Sequence, residues 1–122
     1  MPDKLLAGQR VLVVEDEMMI MMLIEDMLAD LGCTSIMSAA TVSQALALID
    51  AEEFDVATLD VNLNGTKSYP IADALGARGV PYMFATGQGT EGVPERYHER
   101  PILRKPFNYQ DVSDRFKRLL AC

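Results

Sequence analysis

The stretch Val11-Leu12-Val13-Val14-Glu15-Asp16 decides the fold. Four consecutive apolar residues, three of them valine, suit a strand buried on both faces, and an acidic pair then breaks the run. A strand of that kind belongs to a parallel sheet sandwiched between helices, so its flanks should alternate strand and helix. They do. Ile20, Leu23, Ile24, Met27, Leu28 and Leu31 recur at helical spacing and predict one apolar face, with Gly32 as the stop. Thr34 to Ser38 predicts a second strand. Thr41-Val42-Ser43-Gln44 predicts a capping box opening a second helix. Asp55 to Leu59 is the third strand. A third helix is expected from about Ser68 to Gly76, with Pro70 in its first turn, where a missing N–H costs nothing. Val80 to Ala85 and Pro101 to Arg104 complete the strands. Asn108 caps a final helix whose Val112, Phe116 and Leu119 share a face, with Phe107 stapled against Val112. The pattern predicts an α/β fold: a doubly wound, five-stranded parallel sheet with helices on both faces.

Composition narrows what such a domain can do. The 122 residues fit one domain, 1–122, and 18 acidic against 11 basic residues give a formal charge of -7. That charge is repelled by nucleic acid and by anionic membrane surfaces, so neither is an expected partner. The two cysteines, Cys33 and Cys122, have no metal-ligand or Cys-x-x-Cys spacing, which predicts a reduced, cytoplasmic protein without a disulfide framework. The longest apolar run, Met18 to Ile24, is seven residues, far short of a membrane span, and no signal peptide is apparent.

Open parallel sheets place their chemistry beyond the carboxyl ends of the strands. Glu15 and Asp16 follow the first strand, Asp60 and Asn62 the third, Thr86 and Gly87 the fourth, and Lys105-Pro106 the fifth. Each alone reads as a cap or turn. Together they supply a reactive side chain from every strand end but the second. Two carboxylates about 4 Å apart repel by roughly 4 kcal/mol at an effective dielectric near 20, so three require cations. Lys105 and one divalent ion balance them, and oxygen-only ligands select a hard ion, Mg²⁺. Such a site suits phosphoryl transfer to a carboxylate nucleophile. Asp60, central in the sheet, is the expected acceptor. Glu15 and Asp16 would hold the metal with Asp60 and the Asn62 backbone carbonyl, while Thr86 and Lys105 grip phosphoryl oxygens.

This set of residues resembles the receiver domain of bacterial two-component response regulators, from about Arg10 to Leu120. The resemblance implies a flavodoxin-like fold with strand order 2-1-3-4-5. It implies phosphotransfer to Asp60 from a sensor histidine kinase or a histidine phosphotransfer protein, a downstream protein partner, and a cis peptide before Pro106. It implies no enzyme activity beyond the domain's own aspartyl phosphorylation and dephosphorylation. Pro81-Tyr82-Met83-Phe84-Ala85-Thr86-Gly87 and Lys105-Pro106-Phe107 are similar to the "FATGUY" subclass of stand-alone receivers, which act as phosphate sinks or relay components without an output domain. The resemblance therefore predicts a stand-alone unit with no output domain after the last helix.

The chain also departs from the broad family pattern. Ile102 stands where the family has its switch aromatic, and Asn64 where many members have proline. Gly87, the smallest neighbour Thr86 could have, should leave a phosphoryl group open to water, and Gln88 is expected to tune hydrolysis by placing that water. Gly87, Gly89, Gly92 and Pro94 crowd the fourth connection, so any helix there must be short, and Gly87 to Arg100 is the expected moving part.

Other features weigh less. Gly87-Gln88-Gly89-Thr90-Glu91-Gly92 matches the dinucleotide fingerprint literally, but Pro94 and Pro101 deny it the long helix it needs. Met18 and Met22 lie opposite the core face of the first helix and form a candidate docking patch for a partner's helices. His98 reads as solvated. Two other functional classes share this fold: a phosphorylation-independent interaction module and a small hydrolase or nucleotide-binding enzyme.

Overall fold

The computed structural model describes residues 5–87, 93–97 and 100–120. Five parallel strands form the sheet: β1 (Arg10–Val14), β2 (Ser35–Ala39), β3 (Val56–Asp60), β6 (Tyr82–Thr86) and β7 (Ile102–Arg104). Their order is β2-β1-β3-β6-β7, the flavodoxin-like order expected. Each observed boundary falls within two residues of the predicted one. The shifts matter in two places, because Asp60 and Thr86 are the last residues of their strands rather than the first beyond them.

Alternation along the strands builds two cores. Leu12, Val14, Ala57, Leu59, Tyr82 and Phe84 face α2 (Val42–Ala51) and α3 (Tyr69–Ala77). Val11, Val13, Val56, Met83, Ala85 and Leu103 face α1 (Met18–Asp30) and α4 (Tyr109–Leu120). Most of these side chains are fully buried, and each valine, leucine, methionine or phenylalanine among them is worth about 1.5–3 kcal/mol of transfer free energy. The sheet is therefore a rigid platform for whatever its strand ends carry.

The helix ends follow local rules. Gly32, at φ +90°, closes α1: its N–H donates to Ala29 O and that of Cys33 to Leu28 O, both at 3.0 Å. Asn108 and Asp111 cap α4 reciprocally, Asp111 N to Asn108 Oδ1 at 2.8 Å and Asn108 N to Asp111 Oδ2 at 3.0 Å. Phe107 packs against the core that holds Val112.

Three details differ from expectation. The Thr41 hydroxyl accepts the Gln44 N–H as predicted, but the Gln44 amide reaches back to the N–H of Ala40, one residue beyond the capping-box partner. Leu23, placed on the core face from its spacing, is 44% exposed; Ile24 and Leu28 take the core, and at about 100° per residue Leu23 lies roughly a third of a turn off their line. A two-stranded antiparallel hairpin, β4 (Asn62–Leu63) and β5 (Thr66–Lys67), follows β3 where only a loop was expected. Its turn residues Asn64 (φ +53°) and Gly65 (φ +90°) both lie in the left-handed region, the geometry a two-residue hairpin favours. In the fourth connection Glu95–Tyr97 forms one 3-10 turn, as the crowded glycines and prolines required. Residues 88–92, 98–99 and 121–122 lie outside the described residues, and with them Gln88, His98, Cys122 and much of the Gly87 to Arg100 segment expected to move.

Candidate functional site

The strand ends converge as predicted. Carboxylate oxygens of Glu15, Asp16 and Asp60 lie within 4.8 Å of one another. The Lys105 ammonium reaches Glu15 Oε2 at 3.0 Å and Asp60 Oδ2 at 3.3 Å. Lys105 is carried there by the backbone: its N–H donates to Thr86 O at 3.0 Å, extending the β6–β7 pairing past Arg104. The Lys105-Pro106 peptide is cis, as expected. Thr86 sits at the end of β6, one residue beyond Ala85, which pairs with Asp60 across the sheet, and it is buried.

Glu15 is the most enclosed member, its side chain 1% exposed. Its other oxygen accepts the N–H of Glu17 at 3.3 Å, at the amino end of α1, where the helix dipole favours an anion. Burial, reinforced by the charge of Asp60, still raises its pKa to about 7 against the pull of Lys105. Burial works against the Lys105 ammonium, but Glu15 and Asp60 outweigh it and raise the pKa. Three carboxylates share one ammonium, leaving an excess of negative charge that a small divalent cation would cancel. The donors are all oxygen, with neither histidine nor cysteine among them, so the set fits Mg²⁺ rather than a softer ion.

The hairpin supplies contacts that strand-end reasoning missed. The Asn64 N–H donates to Asp16 Oδ2 at 3.0 Å. The Asn62 N–H donates to Asp60 Oδ1 at 3.4 Å, and the Asn62 side chain accepts the Gly65 N–H at 2.9 Å. Ser68 N to Val61 O, at 2.9 Å, closes the ladder one pair below Asn62. Alternation in an antiparallel ladder leaves the Asn62 N–H unpaired within the hairpin, and it is this group that meets Asp60. The Asn64-Gly65 dipeptide was the sequence signal for this element.

A second feature was also missed. The Tyr97 hydroxyl donates to Asp73 Oδ1 at 2.6 Å and receives Arg96 at 2.7 Å. Its ring stacks on Tyr69 at 5.3 Å and meets Phe84 edge-on at 5.3 Å. Ile102, the residue that departs from the family pattern, packs against the same core cluster that holds Phe84 and Tyr97.

The family model for the response regulator receiver domain matches residues 11–117. SdrG from Sphingomonas melonis Fr1 is similar in structure, at 43% identity and a TM-score of 0.83, covering 92% of this chain and 96% of that one. The BeF3-activated conformation of SdrG from Pseudomonas melonis Fr1 is also similar, at 41% identity, a TM-score of 0.81 and coverage of 98% and 99%. So is the receiver domain of the sensor histidine kinase PA1611 from Pseudomonas aeruginosa PAO1, solved with magnesium coordinated in its active-site cleft, at 26% identity, a TM-score of 0.81 and coverage of 95% and 100%. Among curated proteins none matches the chain. The parallel sheet, the acidic pocket at its carboxyl edge and these matches agree: the chain belongs to the response regulator receiver domain family of two-component signalling, a signalling domain rather than a classical enzyme.

Proposed function

We propose that the chain is a Mg²⁺-dependent phosphoacceptor in which Asp60 takes a phosphoryl group from phosphohistidine on a sensor histidine kinase or histidine phosphotransfer protein. The observation that carries this reading is the contact of one ammonium, Lys105, with both Asp60 and Glu15 inside a cluster of three carboxylates. Glu15, Asp16, Asp60 and the Asn62 backbone carbonyl would hold the ion. Bound there, Mg²⁺ neutralises charge on the phosphoryl oxygens.

The chain's own residues do the rest. An Asp60 oxygen attacks phosphorus, a P–O bond forms, and the P–N bond breaks with its electron pair leaving on the imidazole. The Lys105 ammonium and the Thr86 hydroxyl donate to the transferred oxygens. Water later cleaves the acyl phosphate to the Asp60 carboxylate and inorganic phosphate. Gly87 supports easy access for that water: it is exposed, and a side chain built there would meet nothing within 4 Å.

The test is labelling by a phosphohistidine donor or acetyl phosphate. Wild type acquires label only with Mg²⁺, and Asp60→Asn acquires none; equal labelling of Asp60→Asn would end the assignment.

The partner surface follows from α1. Met18 is 76% and Met22 56% exposed, and Leu23 joins Ile20, Pro106 and Phe107 in lining a groove of about 320 Å³ beside Lys105. An adaptable apolar patch next to the acceptor suits the helices of a phosphodonor protein. Replacing Met18 and Met22 by Lys should slow transfer from the protein donor at least tenfold and leave acetyl phosphate labelling unchanged; unchanged transfer from both would remove the patch from the account. The FATGUY resemblance supports a receiver that works without an output domain, and two cysteines without disulfide or metal spacing support a cytoplasmic location. No helix among the described residues is long and apolar enough to cross a membrane.

A further inference from the structure

We propose that Asn64 is a positioning residue for the metal site, acting on Asp16 through its backbone N–H. The inference rests on the reading of Asp16 as a Mg²⁺ ligand and goes beyond it by assigning a role to the hairpin. Three observations carry it. The Asn64 N–H donates to Asp16 Oδ2 at 3.0 Å, from a segment 48 residues away in sequence. Asn64 holds φ +53°, a conformation that side chains other than asparagine, aspartate and glycine adopt only with strain. The hairpin that imposes this φ is anchored independently of Asp16, by the pairs Leu63–Thr66 and Asn62–Lys67, the Ser68-to-Val61 bond and the burial of Leu63.

The electrostatics explain why a tether is useful. Asp16 has two carboxylate neighbours, whose repulsion pushes it outward whenever the positive charge is incomplete. An N–H on a fixed turn opposes that push. It uses one of about four lone-pair positions on the carboxylate and leaves the others for an ion. Proline, which many receivers carry at this position, has no N–H to give and cannot reach φ +53°. The same turn satisfies its second free donor internally, Gly65 N to Asn62 Oδ1, so the Asn64 N–H is the one directed at the site.

The test is Mg²⁺ affinity of the unphosphorylated chain by calorimetric titration, in a double-mutant cycle. Asn64→Gly keeps both the N–H and the positive φ and should bind within twofold of wild type. Asn64→Pro should weaken binding roughly tenfold or more, the usual loss when a group orienting a metal ligand is removed. In an Asp16→Ala background Asn64→Pro should have no further effect. Because Asn64→Pro could disturb the hairpin as a whole, amide exchange gives a second reading without it. The residue 64 amide should be protected in wild type and lose protection in Asp16→Ala. Equal affinities for Asn64→Gly and Asn64→Pro, the same factor lost in both backgrounds, or an amide indifferent to Asp16 would each overturn the tether. If Asp16→Ala binds Mg²⁺ like wild type, the metal assignment itself fails and the tether with it.

Discussion

Glu15 carries a buried charge that folding alone would reject. Its carboxyl is pushed to about 7 because burial and Asp60 both oppose ionisation, and Lys105 offsets them only in part. A group so placed costs stability and is kept for another use. Glu15→Gln keeps an oxygen for the Glu17 N–H and removes one negative charge from the cluster. The metal-free variant should be more stable than wild type by about 1 kcal/mol. The same change should weaken Mg²⁺ binding at least tenfold. Thermal melts in chelator and a Mg²⁺ titration check the two halves separately. A variant less stable and equally avid would show that Glu15 is there for packing.

At the scale of elements, the 3-10 turn Glu95–Tyr97 meets α3 through the Tyr97 hydroxyl on Asp73, the Tyr97 ring on Tyr69 and the Arg96–Asp73 ion pair at 3.7 Å. The Tyr97 O–H to Asp73 bond, at 2.6 Å, is made by a buried ring at the edge of the Phe84 and Tyr69 cluster. Tyr97→Phe keeps the stacking and should cost about 1 kcal/mol, a loss of a few degrees in melting temperature. Neither this link nor the hairpin was legible beforehand, for different reasons. Tyr97 and Asp73 lie on separate elements 24 residues apart, and periodicity reports which face a residue takes, never its partner. The hairpin strands are two residues long, too short for an alternating pattern, so only Asn64-Gly65 could have disclosed them. By contrast, Val11 to Val14 and the Ile24, Leu28, Leu31 stripe were readable because their burial repeats along the chain. Glu15, Asp16, Asp60, Thr86 and Lys105 were readable because an open parallel sheet fixes where its strand ends point. Leu23 was misplaced because spacing marks the centre of a helix face better than its edge.

The whole molecule sets two sealed cores against one crowded rim. Filling the rim with a cation should therefore steady the entire fold, since the platform and the site share β1, β3, β6 and the start of the last connection. At a Mg²⁺ concentration 100 times Kd the gain should be about 2.7 kcal/mol, or roughly 10 °C in melting temperature. Asp60→Asn should show a much smaller rise. A melting temperature indifferent to Mg²⁺ in wild type would contradict the oxygen-ligand site.

The contact between Glu15 and Lys105 joins residues 90 positions apart. A chain emerging from the ribosome has the acidic half of the pocket long before the basic half exists. The pocket is thus assembled only when the last strand docks, and until then its three carboxylates wait without the ammonium that Lys105 brings.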